Sequence, residues 1–237
     1  TIGVASSTSA ITISSAGIVT LVDDLLLKDA CTIGTATTAG AISIAADGLV
    51  NLATAAATVN SAVIRTAGTD TIWIPAAAMR PTSSNGCAAI TDVETTSGRP
   101  DMQVLDFDPS SDENAQFTVC FPKSWNEGTI TFQAFWTVTG TDTGTVAWGL
   151  SGVSIADDAS VNTAFGTNVV ATAKAFSGTS NDMTVSAASG AVTVASAAVD
   201  TQTYFQVMRD VSADDQSGDA RLLGIKLFFT TDAKNDA

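Results

Sequence analysis

A pattern that occurs twice near the start of the chain constrains the fold more than any other feature. The second copy begins 31 residues after the first, so that Thr1-Ile2-Gly3 returns as Thr32-Ile33-Gly34, and ten of 21 aligned positions are identical. Each copy contains an Ile-x-Ile pair, a glycine and a Val-x-Leu pair, which is typical of short strands with one apolar face. A unit of this length cannot bury that face alone. The repeat therefore predicts strands that stack on copies of themselves or on other chains.

The apolar positions of the repeats form the predicted assembly surface. Residues 1–60 carry few charges, so this surface has little protection from association in water. Periodicity alone predicts an oligomer and leaves the number of chains open. The positions that we expect to lie in the assembly contact are Ile2, Ile11, Ile13, Val19, Leu21, Ile33, Ile42, Ile44, Val50 and Leu52.

The rest of the chain alternates in the manner of β-strands and has no long segment with helical period. In the run 129–138, Ile130, Phe132, Ala134, Trp136 and Val138 share one face, and mostly polar residues occupy the other. The pattern predicts an all-β chain: a shaft of two repeats over residues 1–60, a connector over 61–70, and a jelly-roll-like antiparallel β-sandwich head over 71–237. The further predicted strands are Ala115–Phe121, Thr145–Ile155, Met183–Ala187, Val192–Ala195, Thr203–Arg209 and Arg221–Thr230.

Composition excludes several classes of function. The chain has 24 acidic and 10 basic residues, a balance that repels nucleic acid and anionic lipid, and it has no apolar run long enough for a membrane span. It contains no histidine, which removes Ser-His-Asp and Cys-His catalysis. Cys31, Cys87 and Cys120 lack metal-ligand spacing and are expected to be small buried hydrophobic residues. We therefore expect no catalytic residues, no metal centre and no cofactor.

Five segments of residues 70–233 resemble a domain that is widespread in structural proteins of tailed bacteriophages. The most specific blocks are Lys-Ser-Trp-Asn-Glu-Gly at 123–128 and Ala-Arg-Leu-Leu-Gly-Ile at 220–225. The others are Asp70–Met79, Phe107–Phe117 and Phe205–Asp210. The repeats also resemble the shaft segments of phage fibres. The resemblance implies a homotrimer on the virion surface, joined to other virion proteins by its N-terminal region and ending in a jelly-roll head. It implies no catalytic residues.

One acidic loop is a weak candidate for a cation site. Asp106, Asp108 and Asp112 offer oxygen ligands at alternate positions. An EF-hand is excluded, because Ser111 stands where the sharp turn needs glycine and Phe117 stands where a bidentate glutamate is needed. A solvated turn is the alternative interpretation of this loop.

Two of the four tryptophans are candidates for contact with a sugar ring. Trp136 and Trp148 alternate with aliphatic residues and are expected in the core, whereas Trp73 and Trp125 lie near predicted strand ends. The alternative role for Trp73 and Trp125 is to close the end of the sandwich or a subunit interface. Arg209, beside Asp210, and Arg221 are expected to form ordinary surface ion pairs.

These observations favour a non-enzymatic virion protein, either a surface fibre or a capsid decoration protein, whose head faces outward and contacts host surface polysaccharide. Two alternatives from other classes remain open. One is a secreted bacterial adhesin or filament subunit, and the other is the carbohydrate-binding module of a polysaccharide-degrading enzyme.

Overall fold

The structure is a computed structural model of the 237-residue chain. The residues that it describes are 11–13, 15–17, 19–21, 32–33, 42–44, 50–52, 58–59, 62–63 and 68–231. The chain divides into two compact units, Thr1–Arg65 and Thr66–Ala237.

Short antiparallel strands form the described part of the first unit. They are β1 (Ile11–Ile13), β2 (Val19–Leu21), β3 (Thr32–Ile33), β4 (Ile42–Ile44), β5 (Val50–Leu52), β6 (Thr58–Val59) and β7 (Ala62–Val63). Strand β1 pairs with β2, β4 pairs with both β3 and β5, and β6 pairs with β7. Gly17, in the turn between β1 and β2, has a φ of 77°, a conformation that glycine adopts without a steric penalty.

The two copies of the repeat form hairpins with the same register. The corresponding pairs are Ile11–Leu21 and Ile42–Leu52, Thr12–Thr20 and Ser43–Asn51, and Ile13–Val19 and Ile44–Val50. Each pair in the second hairpin thus corresponds to a pair in the first hairpin, with both residue numbers shifted by 31. This equivalence confirms the short paired strands that the repeat predicts.

The regular secondary structure of the second unit consists of strands and one 3₁₀ turn. They are β8 (Gly68–Pro75), β9 (Arg80–Pro81), β10 (Thr91–Val93), β11 (Met102–Phe107), β12 (Glu113–Val119), β13 (Thr131–Thr137), β14 (Thr145–Val146), β15 (Trp148–Ile155), β16 (Val169–Val170), β17 (Lys174–Ala175), β18 (Thr184–Val185), β19 (Val194–Ala195), β20 (Gln202–Arg209) and β21 (Ala220–Thr231). A 3₁₀ turn at Ala76–Ala78 connects β8 to β9.

The main strands of this unit form two six-stranded sheets. The first sheet has the order β10-β11-β21-β13-β18, with β8 also paired to β21, and the second has the order β16-β15-β20-β12-β9, with β19 also paired to β15. All pairs are antiparallel except β15 with β19. One continuous apolar core takes side chains from both sheets, including Phe107 and Phe132 from the first and Phe117 and Phe205 from the second. The predicted all-β class and antiparallel β-sandwich are confirmed.

Strand β13 shows how alternation produces this core. Ile130, Phe132, Ala134 and Trp136, which the sequence places on one face, are each at most 1 % exposed. The register of β13 against β21 shifts between Phe135 and Trp136, as in a β-bulge. Thr137, expected on the polar face, is also fully buried.

The structure also differs from the sequence-based strand assignments. Strand β8 begins at Gly68, inside the segment predicted as a connector, and the predicted strand Thr145–Ile155 is divided because β14 pairs with β17 while β15 pairs with β20. Strand β11 was not predicted. Its alternation is obscured because neighbouring Val104 and Leu105 are both buried.

The cysteine prediction holds at one of the two described positions. Cys87 is buried, and burial is the main cause that raises the pKa of its thiol to about 12, so that it stays protonated. Cys120 is exposed, contrary to the prediction, because it alternates with the buried residues Val119 and Phe121 and so points away from the core. Cys31 lies outside the described residues.

Candidate functional site

The four tryptophans differ sharply in exposure. Trp136 and Trp148 are fully buried, as their alternation with aliphatic residues predicts, and Trp125 is only 2 % exposed. Trp73 is 48 % exposed. Since all four tryptophans of the chain are described, Trp73 is the one indole that a ligand can reach from solvent.

The candidate sugar contact at Trp125 is wrong. Its ring stacks on Phe121 with the centroids 4.1 Å apart, and Phe121 packs in turn edge-on against Phe229 at 5.4 Å. Because Trp125 is only 2 % exposed, neither face of its ring is open to a sugar. Trp125 therefore closes the end of the sandwich, which is the alternative role considered for a tryptophan at a strand end.

The exposed ring of Trp73 is held in place by the strands beside it. On the outer face of the first sheet, Trp73 of β8 pairs with Lys226 of β21, and Phe135 of β13 pairs with Gly224 of β21. Trp73 meets Phe135 in an edge-to-face contact with the ring centroids 5.0 Å apart. A Cβ atom at residue 224 would come within 2.5 Å of the Trp73 ring. The ring therefore rests directly on the glycine backbone, with much of the indole open to solvent.

An open groove of about 580 Å³ runs beside this ring. Most of its lining is apolar, and Met183, which is 65 % exposed, forms part of it. Asp101 and Gln103 supply polar groups at its edge. The amide of Gln103 donates a 2.8 Å hydrogen bond to Asp92, which orients it. The remaining lining residues are Pro75, Ala77, Pro100, Met102, Phe135 and Leu223.

An open aromatic ring beside a carboxylate and an oriented amide can hold a saccharide. The apolar face of a pyranose ring can stack on the indole, while hydroxyl groups at its rim reach a carboxylate and an amide. Gly224 and Phe135 complete this site, yet sequence analysis did not identify either. The available signal was a lone glycine within an apolar strand pattern, which marks a close approach of another group to the backbone.

The acidic loop does not bring its three carboxylates together. The Asp106 carboxylate accepts a 3.1 Å hydrogen bond from Arg221, Asp108 accepts bonds from Ser110, and Asp112 accepts a 3.0 Å bond from the backbone of Val211. Within residues 68–231 and the described N-terminal strands, no three metal-ligating side chains cluster as a metal site requires. The predicted cation loop is therefore wrong, because each carboxylate already caps or pairs with a different neighbour.

Different environments shift the pKa values of these carboxyl groups in different directions. Burial is the main cause that raises the pKa of Asp106, and Arg221 partly opposes it. Hydrogen bonds from Ser110 lower the pKa of Asp108. These shifts fit structural roles in a strand pair and a turn.

The prediction of a surface ion pair at Arg209 is also wrong. Arg209 is fully buried, and its partner is Asp214 at 2.8 Å. All five N–H donors of the guanidinium are used, two by the Asp214 carboxylate and three by backbone carbonyls. One of those carbonyls is Phe107 in the first sheet, so that Arg209 of the second sheet joins the two layers. Arg221 pairs with Asp106 between β21 and β11, with both side chains about 20 % exposed.

The assembly positions of the repeats are described only as backbone. Nine of the ten predicted residues lie in strands β1 to β5, their side chains are outside the described part, and Ile2 is outside it entirely. The oligomerisation surface therefore stays a prediction.

No protein-family model matches the sequence. A search of curated proteins also found no match. Among solved structures, the isomalto-dextranase of Arthrobacter globiformis T6 in complex with panose aligns with a TM-score of 0.36 and 18 % identity, over 66 % of this chain and 23 % of that protein. The cycloisomaltooligosaccharide glucanotransferase of a Paenibacillus species, in complex with cycloisomaltoheptaose, aligns with a TM-score of 0.34 and 10 % identity, over 62 % and 17 % of the two chains.

A third solved structure is a family 11 carbohydrate-binding module of Clostridium thermocellum, which aligns with a TM-score of 0.34 and 9 % identity over 69 % of this chain and 89 % of the module. This chain thus spans less than a quarter of the first two proteins. All three TM-scores are too low to carry an argument about this chain. Its fold and candidate site therefore rest on its own residues.

In the described part of the chain, no helix is long and apolar enough to cross a membrane.

Proposed function

We propose that this chain is a non-catalytic glycan-binding protein whose β-sandwich presents Trp73 as the platform for a sugar ring. The observation that carries this proposal is the supported ring: Trp73 is 48 % exposed, lies against the Gly224 backbone and contacts Phe135 edge-on. Such a ring has already lost its rotational freedom before a ligand arrives, so that binding costs less conformational entropy.

The groove around Trp73 favours a neutral saccharide. Its apolar lining matches the C–H face of a sugar ring, and Asp101 and Gln103 offer an acceptor and an amide for hydroxyl groups. This role suits three settings equally, a virion appendage, a bacterial adhesin or the binding module of a larger enzyme. Release of reducing sugar by the full chain would contradict the non-catalytic part of the proposal.

The test exploits the exposure of a single tryptophan. We expect acrylamide to quench Trp73 selectively, because the other three indoles are at most 2 % exposed. A panel of cello-, malto- and isomalto-oligosaccharides should include a ligand that protects Trp73 from quenching. Calorimetry should show that Trp73→Ala lowers the affinity for that ligand by about tenfold or more, whereas Trp73→Phe retains part of the affinity. Met208→Ala, on the outer face of the other sheet, is the control.

If no saccharide in the panel protects Trp73, or if Trp73→Ala binds the ligand as tightly as the parent chain, the proposal is overturned. Thermal unfolding of each variant shows whether a loss of binding reflects a loss of folding.

We also propose that the repeats assemble several copies of the chain, as in the shaft of a tailed-phage appendage on the virion surface. The supporting observation is the pair of hairpins with equivalent registers 31 residues apart. The three-fold symmetry, the virion location and the contact with other virion proteins rest on the sequence resemblance alone. Assembly would place several Trp73 sites on one particle, and such multivalency raises the avidity of weak sites.

Light scattering of the full chain tests this second proposal, with three chains as the expected mass. Ile44→Asp should reduce the mass, whereas Ser43→Asp, at the alternate position of the same strand, should not. A monomeric parent chain, or equal masses for both variants and the parent, would exclude the repeats as the assembly surface.

A further inference from the structure

The outer face of the second sheet carries a separate groove. Two adjoining depressions of about 370 and 280 Å³ share Arg80, Gln116 and Tyr204 in their lining. They lie over strands β9, β12, β20 and β15, which are consecutive in the sheet. Four neighbouring strands span about 14 Å from first to last at the usual strand spacing. The groove is therefore long enough for an extended ligand that crosses the strands.

Strand register builds the floor of this groove from two rows of side chains. In the first row, Gln116 lies opposite Arg80 on one side and Gln206 on the other. In the second row, Tyr204 lies opposite Thr118 on one side and Val153 on the other. Residues that face each other across strands in this way have neighbouring side chains. The groove thus offers one polar row beside a row that contains an aromatic ring.

Hydrogen bonds orient the polar groups of the floor. The Gln116 amide donates a 3.1 Å bond to the Gln206 carbonyl oxygen, and the Tyr204 hydroxyl donates a 3.1 Å bond to Gln202. Each of these bonds uses one donor and leaves acceptor capacity on Gln116 and Tyr204. Phe165 and Val161, which is 75 % exposed, add apolar surface at the far end.

The charge of the lining is the opposite of the charge of the whole chain. The chain has 24 acidic residues against 10 basic ones, yet the described lining of this groove contains Arg80 and no acidic side chain. Neither of the two ion pairs among the described residues uses Arg80. An exposed guanidinium with five N–H donors matches a carboxylate in a two-bonded, planar arrangement.

We infer that the groove formed by Arg80, Gln116 and Tyr204 binds a carboxylate-bearing saccharide. The Arg80 guanidinium takes the carboxylate, the Gln116 amide takes neighbouring hydroxyl groups, and the Tyr204 ring supports the apolar face of an adjacent sugar. This site differs from the Trp73 groove because its floor is formed by the other sheet, and the two linings share only Ala77. Its attraction to the ligand should weaken as ionic strength rises, since the guanidinium is exposed.

Calorimetry of the full chain with three acidic probes tests the inference: tetragalacturonate, a mannuronate oligomer and sialyllactose. We expect at least one to bind and its methyl ester, which lacks the charge, to bind at least about tenfold more weakly. Arg80→Gln should lower the affinity for the acidic probe by about tenfold and leave any binding of the ester unchanged. Arg80→Lys keeps the charge but loses the planar fork, so its affinity for the acidic probe should lie between those of the parent chain and Arg80→Gln.

Arg99→Gln is the matched control, because it removes the same charge from an exposed residue outside the groove. The inference is overturned if none of the acidic probes binds, if acid and ester bind equally, or if Arg99→Gln weakens binding as much as Arg80→Gln does. Trp73→Ala separates this site from the proposed neutral-sugar site. The acidic probe should bind Trp73→Ala as tightly as it binds the parent chain. Loss of its binding in this variant would assign the acidic ligand to the Trp73 groove and overturn the inference.

Discussion

The two outer faces of the sandwich differ in chemistry although both sheets alternate in the same way. On the first sheet, a glycine in β21 lets the Trp73 ring lie against the backbone and opens an apolar groove. On the second sheet, register aligns Arg80, Gln116 and Gln206 into a polar row. The comparison shows that a common interior can support two surfaces of different chemistry. The shared interior stabilises both sheets, and the side chains on their outer faces can differ.

The largest expected effect tests whether the two faces share one cooperative interior. Arg209→Met should lower the free energy of unfolding by about 3–5 kcal/mol, because it leaves the Asp214 carboxylate buried without its partner. Chemical denaturation measures the loss. Arg221→Met, which breaks a half-buried pair, is the control and should cost roughly 1 kcal/mol or less.

Fluorine NMR of Arg209→Met follows the unfolding of each face separately. Fluorotryptophan reports on Trp73 in the first sheet, and fluorotyrosine reports on Tyr204, the one tyrosine of the chain, in the second. Both signals should report the same unfolding midpoint, because one continuous apolar core takes side chains from both sheets. Separate midpoints would mean that the two faces do not rest on a single folding unit.

A smaller effect is expected for Gly224→Ala, which changes only the first face. The new Cβ would lie 2.6 Å from the Ile74 carbonyl oxygen and 2.5 Å from the Trp73 ring, so that both the strand and the ring must move. We expect a loss of about 1–3 kcal/mol of stability and weaker binding at Trp73, with the Arg80 groove unaffected. Gly190→Ala is the control, since its nearest neighbour is 3.6 Å away. Unchanged saccharide binding in Gly224→Ala would show that the ring does not depend on this glycine.

The smallest effect concerns an end of the sandwich that belongs to neither groove. Asp142 accepts bonds from Ser217, and Asp215 accepts bonds from Thr145, which together tie two loops to each other. These bonds hold the pKa of both carboxyl groups below the ordinary value of 3.8. Their stabilisation is therefore complete above pH 3.8 and is lost as the pH falls through the lowered values.

The melting temperature as a function of pH measures this effect. Asp142→Asn should be less stable than the parent chain near neutral pH, and the difference should shrink in acid. The contribution of Asp106 to stability depends on pH with the opposite sign. Its pKa is raised above the ordinary value of 3.8, so this contribution is lost as the pH rises from 3.8 through the raised value. A constant difference between Asp142→Asn and its parent at all pH values would contradict the assignment.

Local alternation predicted much of the fold. The core face of β13, the burial of Trp136 and Trp148, and the paired strands of the repeat all follow from the spacing of apolar residues along a single segment. The strand at Met102–Phe107 escaped prediction because adjacent residues, Val104 and Leu105, are both buried, and this breaks the period of two.

The candidate site was predicted only in part. Trp73 and Trp125 had the same local signature, a tryptophan near a strand end, but Phe121 covers one and Gly224 supports the other in the open. Arg209 looked like a surface residue beside Asp210, yet the loop that follows carries Asp214 back over it. In each case the deciding partner comes from another element of the fold.

The all-β class, the repeated hairpins and the composition of the inner faces follow from the order of residues along the chain. These depend on the alternation of side chains within one strand, which a linear pattern records directly. The folded structure was needed to show which tryptophan stays open and which polar residues share a row. Exposure and register depend on strands that are far apart in the chain, and no local pattern specifies which strands become neighbours.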